Sequence, residues 1–415
     1  MSTTTPLTIT ADAARSHWVR SAGLAEPVDG SLAGLVESTG WIRTLGGVDA
    51  YLGLLARRPD LQRSDVDAAI AAGDLVISPA ARNCTYLLPG ARRSLALAEA
   101  AEQWEHTARR LHDKAGILDG ELAAVGDAVL DVLARSMTTD EVRRALPDDA
   151  CRSLGAEGKA AGVSSTLPPA LRQLEFADRI RRRPVDDRAD TERYVWEANP
   201  APRPDTRSTA ERRAELAAVF AGALGPVGHK EFAAWATISQ RDSLAALESA
   251  DGLVEVDVES IGRAWLPDAG LLELVDGARE PIAPDVVRLL GFEDLGLVAH
   301  SPALWFDRRH HSLGMPVWGR GEHTLGGASH LFMRTVLIGD RMAGFWAWDP
   351  SRQTAEVALL EAPDAATRRS LVETVERTSA FLHAEFGHAR MTAIDGEGTE
   401  QARLAAIRGI DGTWS

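Results

Sequence analysis

Residues Val163–Trp196 read VSSTLPPALRQLEFADRIRRRPVDDRADTERYVW. The first half predicts a short helix, because its leucines recur at helical spacing on one face. The second half predicts two short strands, Arg179–Val185 and Thr191–Trp196, joined by the polar turn Asp186–Asp190. The stretch therefore predicts a helix that is followed directly by a basic β-hairpin.

This layout is that of a winged helix-turn-helix, in which a helix enters a DNA groove and the hairpin contacts the DNA backbone. The same order of two helices and a hairpin is predicted twice more. The earlier copy consists of Ala50–Arg57, Asp65–Ala72, Leu75–Pro79 and Cys84–Leu88. The later copy consists of His229–Trp235, Ser239–Leu247, Leu253–Val258 and Arg263–Leu266.

The predicted fold class is α+β and mainly helical, with three tandem winged helix-turn-helix units and a C-terminal mixed α/β or β-barrel-like domain. The predicted boundaries are 1–116, which includes a long connecting helix, then 117–200, 201–275 and 276–415. Gly155–Gly162 is predicted to be a mobile loop, and the proline-rich Ala198–Ser208 a linker. The last domain is predicted to hold Arg334–Ile338, Met342–Trp348 and Thr354–Leu360 as a strand meander, then the helix Ala365–Phe386 and the strand Ala389–Ile394.

The net charge of −15 argues against a protein that binds nucleic acid over its whole surface. Charge is distributed unevenly, however. Between Arg152 and Tyr194 there are nine Lys and Arg residues against seven Asp and Glu. DNA binding through local patches is therefore the expectation, and it should be strongly salt-sensitive.

The sequence indicates a soluble bacterial protein of the cytoplasm. No apolar run is long enough to span a bilayer. The first residues show no basic region followed by an apolar one, so no signal peptide is predicted. The two cysteines, Cys84 and Cys151, are far apart and are predicted to be reduced core residues.

Several motifs together resemble one family, and they cover most of the chain. The first unit has Gly46–Tyr51 followed by Leu54–Arg57; the second has Ser165–Pro168, Ala170–Leu171 and the hairpin Ile180–Tyr194; the third has Leu224–Pro226, Phe232–Trp235 and Leu253–Val256. Weaker matches lie at Phe306–Arg308 and Gly344–Trp346. In this combination the chain resembles the AlkZ/YcaQ-like bacterial DNA glycosylases.

The resemblance implies an enzyme that cuts a flipped, alkylated base from its sugar. Because the leaving base already carries positive charge, the enzyme has to stabilise an oxocarbenium-like sugar and position a water. The family uses a Gln-x-Gln or Gln-x-Asp pair, whereas the matching positions here hold Asp49 and Tyr51. These two are the predicted catalytic residues. The alternatives are that Asp49 caps the following helix and that Tyr51 is a half-buried aromatic.

The predicted DNA contacts are hydroxyl, amide and basic residues near the helix starts and on the hairpin. They are Arg43, Lys159, Ser164, Ser165, Thr166, Arg172, Arg181, Arg183, Gln240 and Arg241. A strand alternates its faces, so Arg181 and Arg183 should share the side opposite Arg182. The alternatives are a helix cap for the hydroxyls and a solvated hairpin for the arginines.

No metal site and no cofactor are predicted. His310, His311 and the neighbouring Asp307 and His323 match no tight zinc spacing and include no cysteine. The tryptophans Trp305, Trp318, Trp346 and Trp348 are predicted to be core residues and not a platform for stacked bases.

The predicted function is hydrolysis of the N-glycosidic bond of alkylated or bulky purines in double-stranded DNA by a monomer that does not bind membranes. The alternative is a non-catalytic winged-helix protein that recognises damage or regulates transcription, which the loss of both glutamines favours. A third class, protein–protein interaction, also stays open because the net charge is negative.

Overall fold

The order helix, short strand, helices, hairpin occurs three times along the chain, with two helices before the hairpin in the first and third units and three in the second. A computed structural model describes residues 7–277, 281–294, 296, 299–316, 322–328, 330–387, 391, 397–410 and 413–414. The first unit is α2 (Leu32–Ser38), β2 (Ile42–Arg43), α3 (Asp49–Leu55), α4 (Arg63–Ala72), β3 (Leu75–Pro79) and β4 (Thr85–Pro89). The second is α6 (Glu121–Val132), β5 (Met137–Thr138), α7 (Thr139–Ala145), α8 (Gly155–Ala160), α9 (Leu167–Phe176), β6 (Ile180–Pro184) and β7 (Tyr194–Ala198). The third is α10 (Thr209–Leu224), β8 (Val227–Gly228), α11 (His229–Ala236), α12 (Gln240–Ser249), β9 (Leu253–Val258) and β10 (Gly262–Pro267).

The predicted helix and hairpin of the second unit are confirmed as α9, β6 and β7. Prolines occupy the first turn of α9, where their missing N–H groups cost no hydrogen bond. The face of α9 that carries Leu167 and Leu171 is buried against α6. The helix α7 is capped by Thr138, whose Oγ1 accepts a hydrogen bond from the Glu141 N–H at 3.2 Å.

A short strand that the sequence did not predict completes the sheet of each unit. The strand orders are β2-β4-β3, β5-β7-β6 and, with the N-terminal strand β1 (Thr8–Ile9) at its edge, β1-β9-β10-β8. In every unit the short strand thus pairs with the second strand of the hairpin. A strand of two residues has no periodicity to detect. Each short strand is defined only by its pairing with a hairpin strand that lies more than 25 residues away in the sequence.

One expectation for the earlier part of the chain is wrong, and one pairing was not expected. Gly155–Ala160 forms the helix α8, not a mobile loop; a Cβ on its Gly158 would lie 2.4 Å from the Val163 carbonyl oxygen, so only glycine allows that close packing. The N-terminal strand β1 (Thr8–Ile9) pairs in parallel with β9 of the third unit. The start of the chain thus joins the third unit, although the boundaries of the four domains stay a prediction.

The C-terminal part is built on an antiparallel five-stranded sheet. Its order is β11 (Val287–Leu289), β14 (Arg334–Ile338), β15 (Arg341–Asp349), β16 (Thr354–Leu359) and β17 (Thr413–Trp414). The predicted meander and the helix Ala365–Phe386 are confirmed. The predicted strand Ala389–Ile394 lies outside the described residues except for Met391.

The remaining elements connect or flank these parts. These helices are Ala11–Ser21, Arg93–Ala115, Asp268–Gly277, Pro302–Trp305 and Glu397–Arg408, and a further hairpin is formed by Gly314–Pro316 and Glu322–Thr324.

Among the described residues, no helix combines the length and apolar composition needed to cross a membrane.

The first unit and the C-terminal sheet share one hydrophobic core. Leu54 and Leu87 of the first unit belong to the same buried cluster as Val336 and Trp346 of the sheet. Beside this core, Arg57 is 1 % exposed and donates to both carboxylate oxygens of Asp294, at 2.7 and 2.9 Å. The docking therefore combines apolar burial with a bidentate ion pair.

Gly291→Ala is expected to lower the free energy of unfolding by about 1–3 kcal/mol, the usual cost of overpacking. A Cβ at this position would lie 2.8 Å from the backbone oxygen of Asp49, so α3 and the 291–294 loop would have to separate. Urea denaturation measures the change. The matched control is Gly222→Ala, on the exposed face of α10 with no atom within 4 Å, where a gain of up to about 1 kcal/mol is expected. Equal stability of Gly291→Ala and wild type would contradict the close packing.

Candidate active site and DNA-contact residues

The segment Gly46–Tyr51 lies where the first unit, the second hairpin and the C-terminal part meet. Gly46 and Gly47 both have positive φ, 63° and 90°, which glycine adopts readily and which turns the chain into α3. The Gly47 N–H donates to the Asp190 carbonyl at 2.7 Å, and the Val48 N–H donates to the Met391 carbonyl at 3.2 Å. The predicted catalytic segment is therefore tied to two other parts of the chain by its own backbone.

Asp49 is buried and forms a bidentate ion pair with Arg334. Arg334 Nε lies 2.8 Å from Asp49 Oδ1 and Arg334 Nη2 lies 2.9 Å from Oδ2. The Phe292 N–H also donates to Oδ1, at 2.8 Å. Asp49 is 6 % exposed and Arg334 is 0 % exposed. The capping interpretation is wrong, because Val48 occupies the cap position and Asp49 is the first helical residue, without a side-chain cap bond.

This pairing compensates the negative charge of Asp49 that is predicted to stabilise the sugar cation. A carboxylate held by a guanidinium and a backbone N–H presents little net charge to a nearby cation. Arg334 also lies 3.5 Å from Glu400. The pair joins α3 to the first residue of β14, and its geometry supports a positioning role. The catalytic role of Asp49 stays a prediction.

Tyr51 is fully buried and bridges the first unit to the hairpin loop of the second. Its hydroxyl donates to Asp67 Oδ1 at 2.7 Å and accepts from the Ala189 N–H at 2.9 Å. Its ring packs edge-on against Phe386, with centroids 5.0 Å apart. Burial and the hydrogen bond to Asp67 raise the pKa of the Tyr51 phenol. The phenol is thus neutral and fixed in place, and its catalytic role stays a prediction.

An ionisable cluster that the sequence does not predict lies next to Asp49. Glu293 directly follows the Phe292 whose N–H binds Asp49. One oxygen of Glu293 pairs with Arg43 and the other lies 2.8 Å from His330 Nε2. Burial favours the protonated form of Glu293, but the hydrogen bond to His330 and the charge of Arg43 outweigh it and lower the pKa of this carboxyl to about 2. No local motif marks Glu293 or His330, because three separate segments of the chain build the cluster.

Arg43 therefore stands apart from the other predicted DNA contacts. Its side chain is only 19 % exposed and its guanidinium is engaged by Glu293. The structure brings Arg43 and Asp49 together through the Phe292–Glu293 segment. They lie at the boundary between the first unit and the C-terminal part, which is called the seam below and contains Arg43, Asp49, Phe292, Glu293 and Arg334.

The residues before α9 are split between surface and interior. Lys159 and Ser164 are exposed, Ser165 is half-buried, and Thr166 is fully buried. Thr166 Oγ1 accepts from the Arg152 N–H at 3.3 Å and makes no cap bond to α9, so the capping interpretation is wrong for this residue. Thr166 presents no hydroxyl to a ligand in this structure, whereas Lys159 and Ser164 do present polar groups.

The arginines of the second unit differ in how far they are neutralised. Arg172 is exposed and its guanidinium lies 4.3 Å from the centroid of Trp104. The predicted alternation on β6 is confirmed, because Arg182 turns inward to Glu175 (2.6 Å) while Arg181 is exposed. Arg183 lies 3.2 Å from Glu197 and 3.5 Å from Asp187. Among the residues that the structure describes, Arg181 has no ion-pair partner.

The remaining predicted contacts lie in the third unit. Gln240 and Arg241 are exposed in the first turn of α12, which Ser239 caps by accepting from the Asp242 N–H at 3.1 Å. Among the described residues, neither side chain touches the predicted DNA-binding residues of the second unit.

The histidine cluster predicted not to bind metal is held by protein groups. His310 Nε2 lies 2.7 Å from Glu361 and His311 Nε2 lies 3.2 Å from the Phe306 carbonyl. Within the described ranges, no three His, Cys, Asp or Glu side chains are grouped so that they could hold a metal ion. Trp305, Trp346 and Trp348 are buried, as predicted for core residues.

The comparison with known families decides the classification. The profile of the family described as DNA glycosylase AlkZ-like matches residues 47–381. The chain belongs to the AlkZ-like DNA glycosylase family. The match begins two residues before Asp49 and extends into the helix after the C-terminal meander. It therefore covers the first unit from α3 onward, the other two units and most of the sheet.

An AlkZ-like fold is also found among solved structures. The chain is similar to the Streptomyces sahachiroi DNA glycosylase AlkZ, with a TM-score of 0.68 and 16 % identity over 90 % of this chain and 98 % of that one. At this identity the likeness shows the fold alone. No curated protein sequence matches the chain. The α+β fold class is therefore confirmed as that of AlkZ.

Proposed function

We propose that this AlkZ-like protein binds double-stranded DNA and hydrolyses the N-glycosidic bond of alkylated or bulky purines. The observation that carries the proposal is the family match over residues 47–381. In the proposal the three units act as winged helices on the duplex, and the protein works as a monomer in the bacterial cytoplasm without a cofactor. An N7-alkylated purine already carries the positive charge that a leaving base needs, so the reaction requires mainly a positioned water and a stabilised sugar.

The proposed reaction centre is the seam around Asp49. The carboxylate stands where the family's glutamine pair is matched, and Arg334 and the Phe292 N–H hold it in one orientation. Tyr51 supports the same helix through its bonds to Asp67 and Ala189. Of these two, Asp49 is the residue proposed to act near the sugar, and Tyr51 is proposed to position it.

The test is release of N7-methylguanine from duplex DNA under single-turnover conditions, for wild type, Asp49→Asn and Arg334→Met. Asp49→Asn removes the charge, whereas Arg334→Met keeps the carboxylate and removes its clamp. If Asp49→Asn loses base release and Arg334→Met keeps it, the result supports a direct role of Asp49. Equal loss in both, with both folded by circular dichroism, supports a positioning role. Absence of release by the wild type from every alkylated purine tested would overturn the proposed activity.

One observation favours a second candidate, a non-catalytic DNA-binding protein. Both residues at the matched catalytic positions have their hydrogen bonds satisfied within the protein. DNA binding without base release would support this candidate. Absence of binding even at low salt would exclude both functions.

Arg181→Ala is expected to weaken DNA binding more than Arg183→Ala, although the two arginines lie on the same face of β6. Arg181 is exposed without an ion-pair partner in the described residues, whereas Arg183 is already paired with Asp187 and Glu197. Loss of one phosphate contact lowers the slope of log Kd against log salt by about 1. Fluorescence anisotropy between 50 and 200 mM salt, about the range over which such contacts are screened, measures this slope. A larger slope change for Arg183→Ala would contradict the assignment.

A further inference from the structure

Glu293 and His330 form a carboxylate–imidazole pair that nothing in the sequence motifs assigns. His330 Nε2 lies 2.8 Å from Glu293 Oε1, while Arg43 pairs with the other carboxylate oxygen. The side chain of Glu293 is 7 % exposed and that of His330 is 20 % exposed. A buried, ionised carboxylate thus orients an imidazole that reaches the surface.

The hydrogen bonds define which ring nitrogen of His330 is available. Nε2 faces a carboxylate, which can only accept, so Nε2 carries the proton. No hydrogen bond to Nδ1 occurs within the described residues, which leaves Nδ1 as the acceptor in the neutral ring. A carboxylate that fixes the tautomer of a histidine is the usual arrangement around a general base.

The pair lies beside the proposed reaction centre. Asp49 Oδ1 accepts from the N–H of Phe292, the residue directly before Glu293. Consecutive Cα atoms are about 3.8 Å apart, so the backbone of Glu293 lies directly beside the Phe292 N–H that binds Asp49. Asp49 itself is clamped by Arg334, and the chain has neither family glutamine. Among the described residues, no group occupies Nδ1 of His330, so this imidazole is the base available to a water between the first unit and the C-terminal part.

We propose that His330, oriented by Glu293, activates the attacking water in the hydrolysis proposed above. The inference rests on that proposed function. His330 Nδ1 takes one proton from the water, and the water oxygen forms a bond to C1′ of the sugar. The C1′–N bond breaks, and its electron pair leaves with the base, which neutralises the charge of an N7-alkylated guanine. His330 then returns the proton to solvent, and an abasic sugar with a C1′ hydroxyl remains.

The experiment measures single-turnover release of N7-methylguanine together with the Kd for the same duplex. His330→Gln keeps an amide N–H for Glu293 but has no basic nitrogen, so the fold is retained and the base is lost. A loss of at least about 100-fold in the rate constant is expected, the usual contribution of a general base, with Kd changed less than about threefold. In His330→Ala, added imidazole should restore part of the rate, whereas it should not restore Glu293→Gln.

A matched control separates a chemical role from loss of a surface ion pair. His310 has the same 20 % side-chain exposure and a carboxylate partner, Glu361, at 2.7 Å, but that carboxylate is 49 % exposed. His310→Gln should keep the wild-type rate.

Full activity of His330→Gln, or a loss that appears only in Kd, would overturn the role of His330 and leave the proposed function intact. A wild type that releases no base would overturn both.

Discussion

Replacement of Arg334 by methionine lowers the free energy of unfolding by about 3–5 kcal/mol, the expected effect of leaving a buried charge without its partner. Arg334 is fully buried, and among the described residues it supplies two of the three hydrogen bonds that Asp49 accepts. Methionine fills a similar space without charge, so the carboxylate loses its compensation while the packing is largely kept. Urea denaturation followed by circular dichroism measures the change.

The double variant Asp49→Asn/Arg334→Met shows whether the cost comes from the uncompensated charge. Asparagine keeps an oxygen for the Phe292 N–H, and no ionised group remains in the pair. The double variant should therefore be more stable than Arg334→Met alone, with a coupling energy of about 1–3 kcal/mol. The surface control is Arg309→Met, since Arg309 is 62 % exposed beside Asp307 and solvent screens such a pair, so the unfolding free energy should stay close to that of the wild type. Additive losses in the double variant would contradict the buried pair.

Acidification from pH 6.5 to pH 4 removes about 3 kcal/mol of stability through His17 alone, because each unit of pKa shift corresponds to about 1.4 kcal/mol. His17 is buried, and burial, with a smaller effect of the Arg20 charge, lowers its pKa to about 4. The folded state holds this imidazole neutral, whereas the unfolded chain protonates it below about pH 6.5. The unfolded state therefore binds more protons in this window. The loss begins below pH 6.5 and levels off below pH 4.

His17→Leu removes this titration and keeps the volume close to that of the imidazole. Unfolding free energies at intervals between pH 7 and pH 4 should fall less steeply in the variant than in the wild type. The control is His383→Leu on the exposed face of the helix Ala365–Phe386, where the slope should stay that of the wild type. Parallel pH profiles for wild type and His17→Leu would show that burial of His17 does not set the acid sensitivity.

The helices and hairpins could be predicted from the sequence because their signals are local. Apolar residues at helical spacing with prolines in the first turn mark α9, and Thr138 with Glu141 marks the start of α7. The helix Ala365–Phe386 was predicted with the bounds that the structure gives. In each case the residues that determine the element lie within about one or two turns of one another.

The candidate site could be predicted only as a location. The motif Gly46–Tyr51 marked the segment, but the state of its side chains depends on residues far away in sequence. The partner of Asp49 is 285 residues away, and the hydroxyl of Tyr51 is bound by a backbone 138 residues away. The hydroxyls before α9 show the same limit, since a buried Thr166 and an exposed Ser164 are alike in sequence.

The sequence by itself determined the repeated helices and hairpins and the segment where the family's catalytic pair is matched, because periodicity, caps and turns are short-range properties. Only the tertiary structure decided that Asp49 is clamped by Arg334, that Arg43 faces Glu293 instead of open solvent, and that Glu293 binds Nε2 of His330 beside them. The reason is physical. Burial and charge compensation are properties of pairs, and here the partners come from opposite ends of the chain.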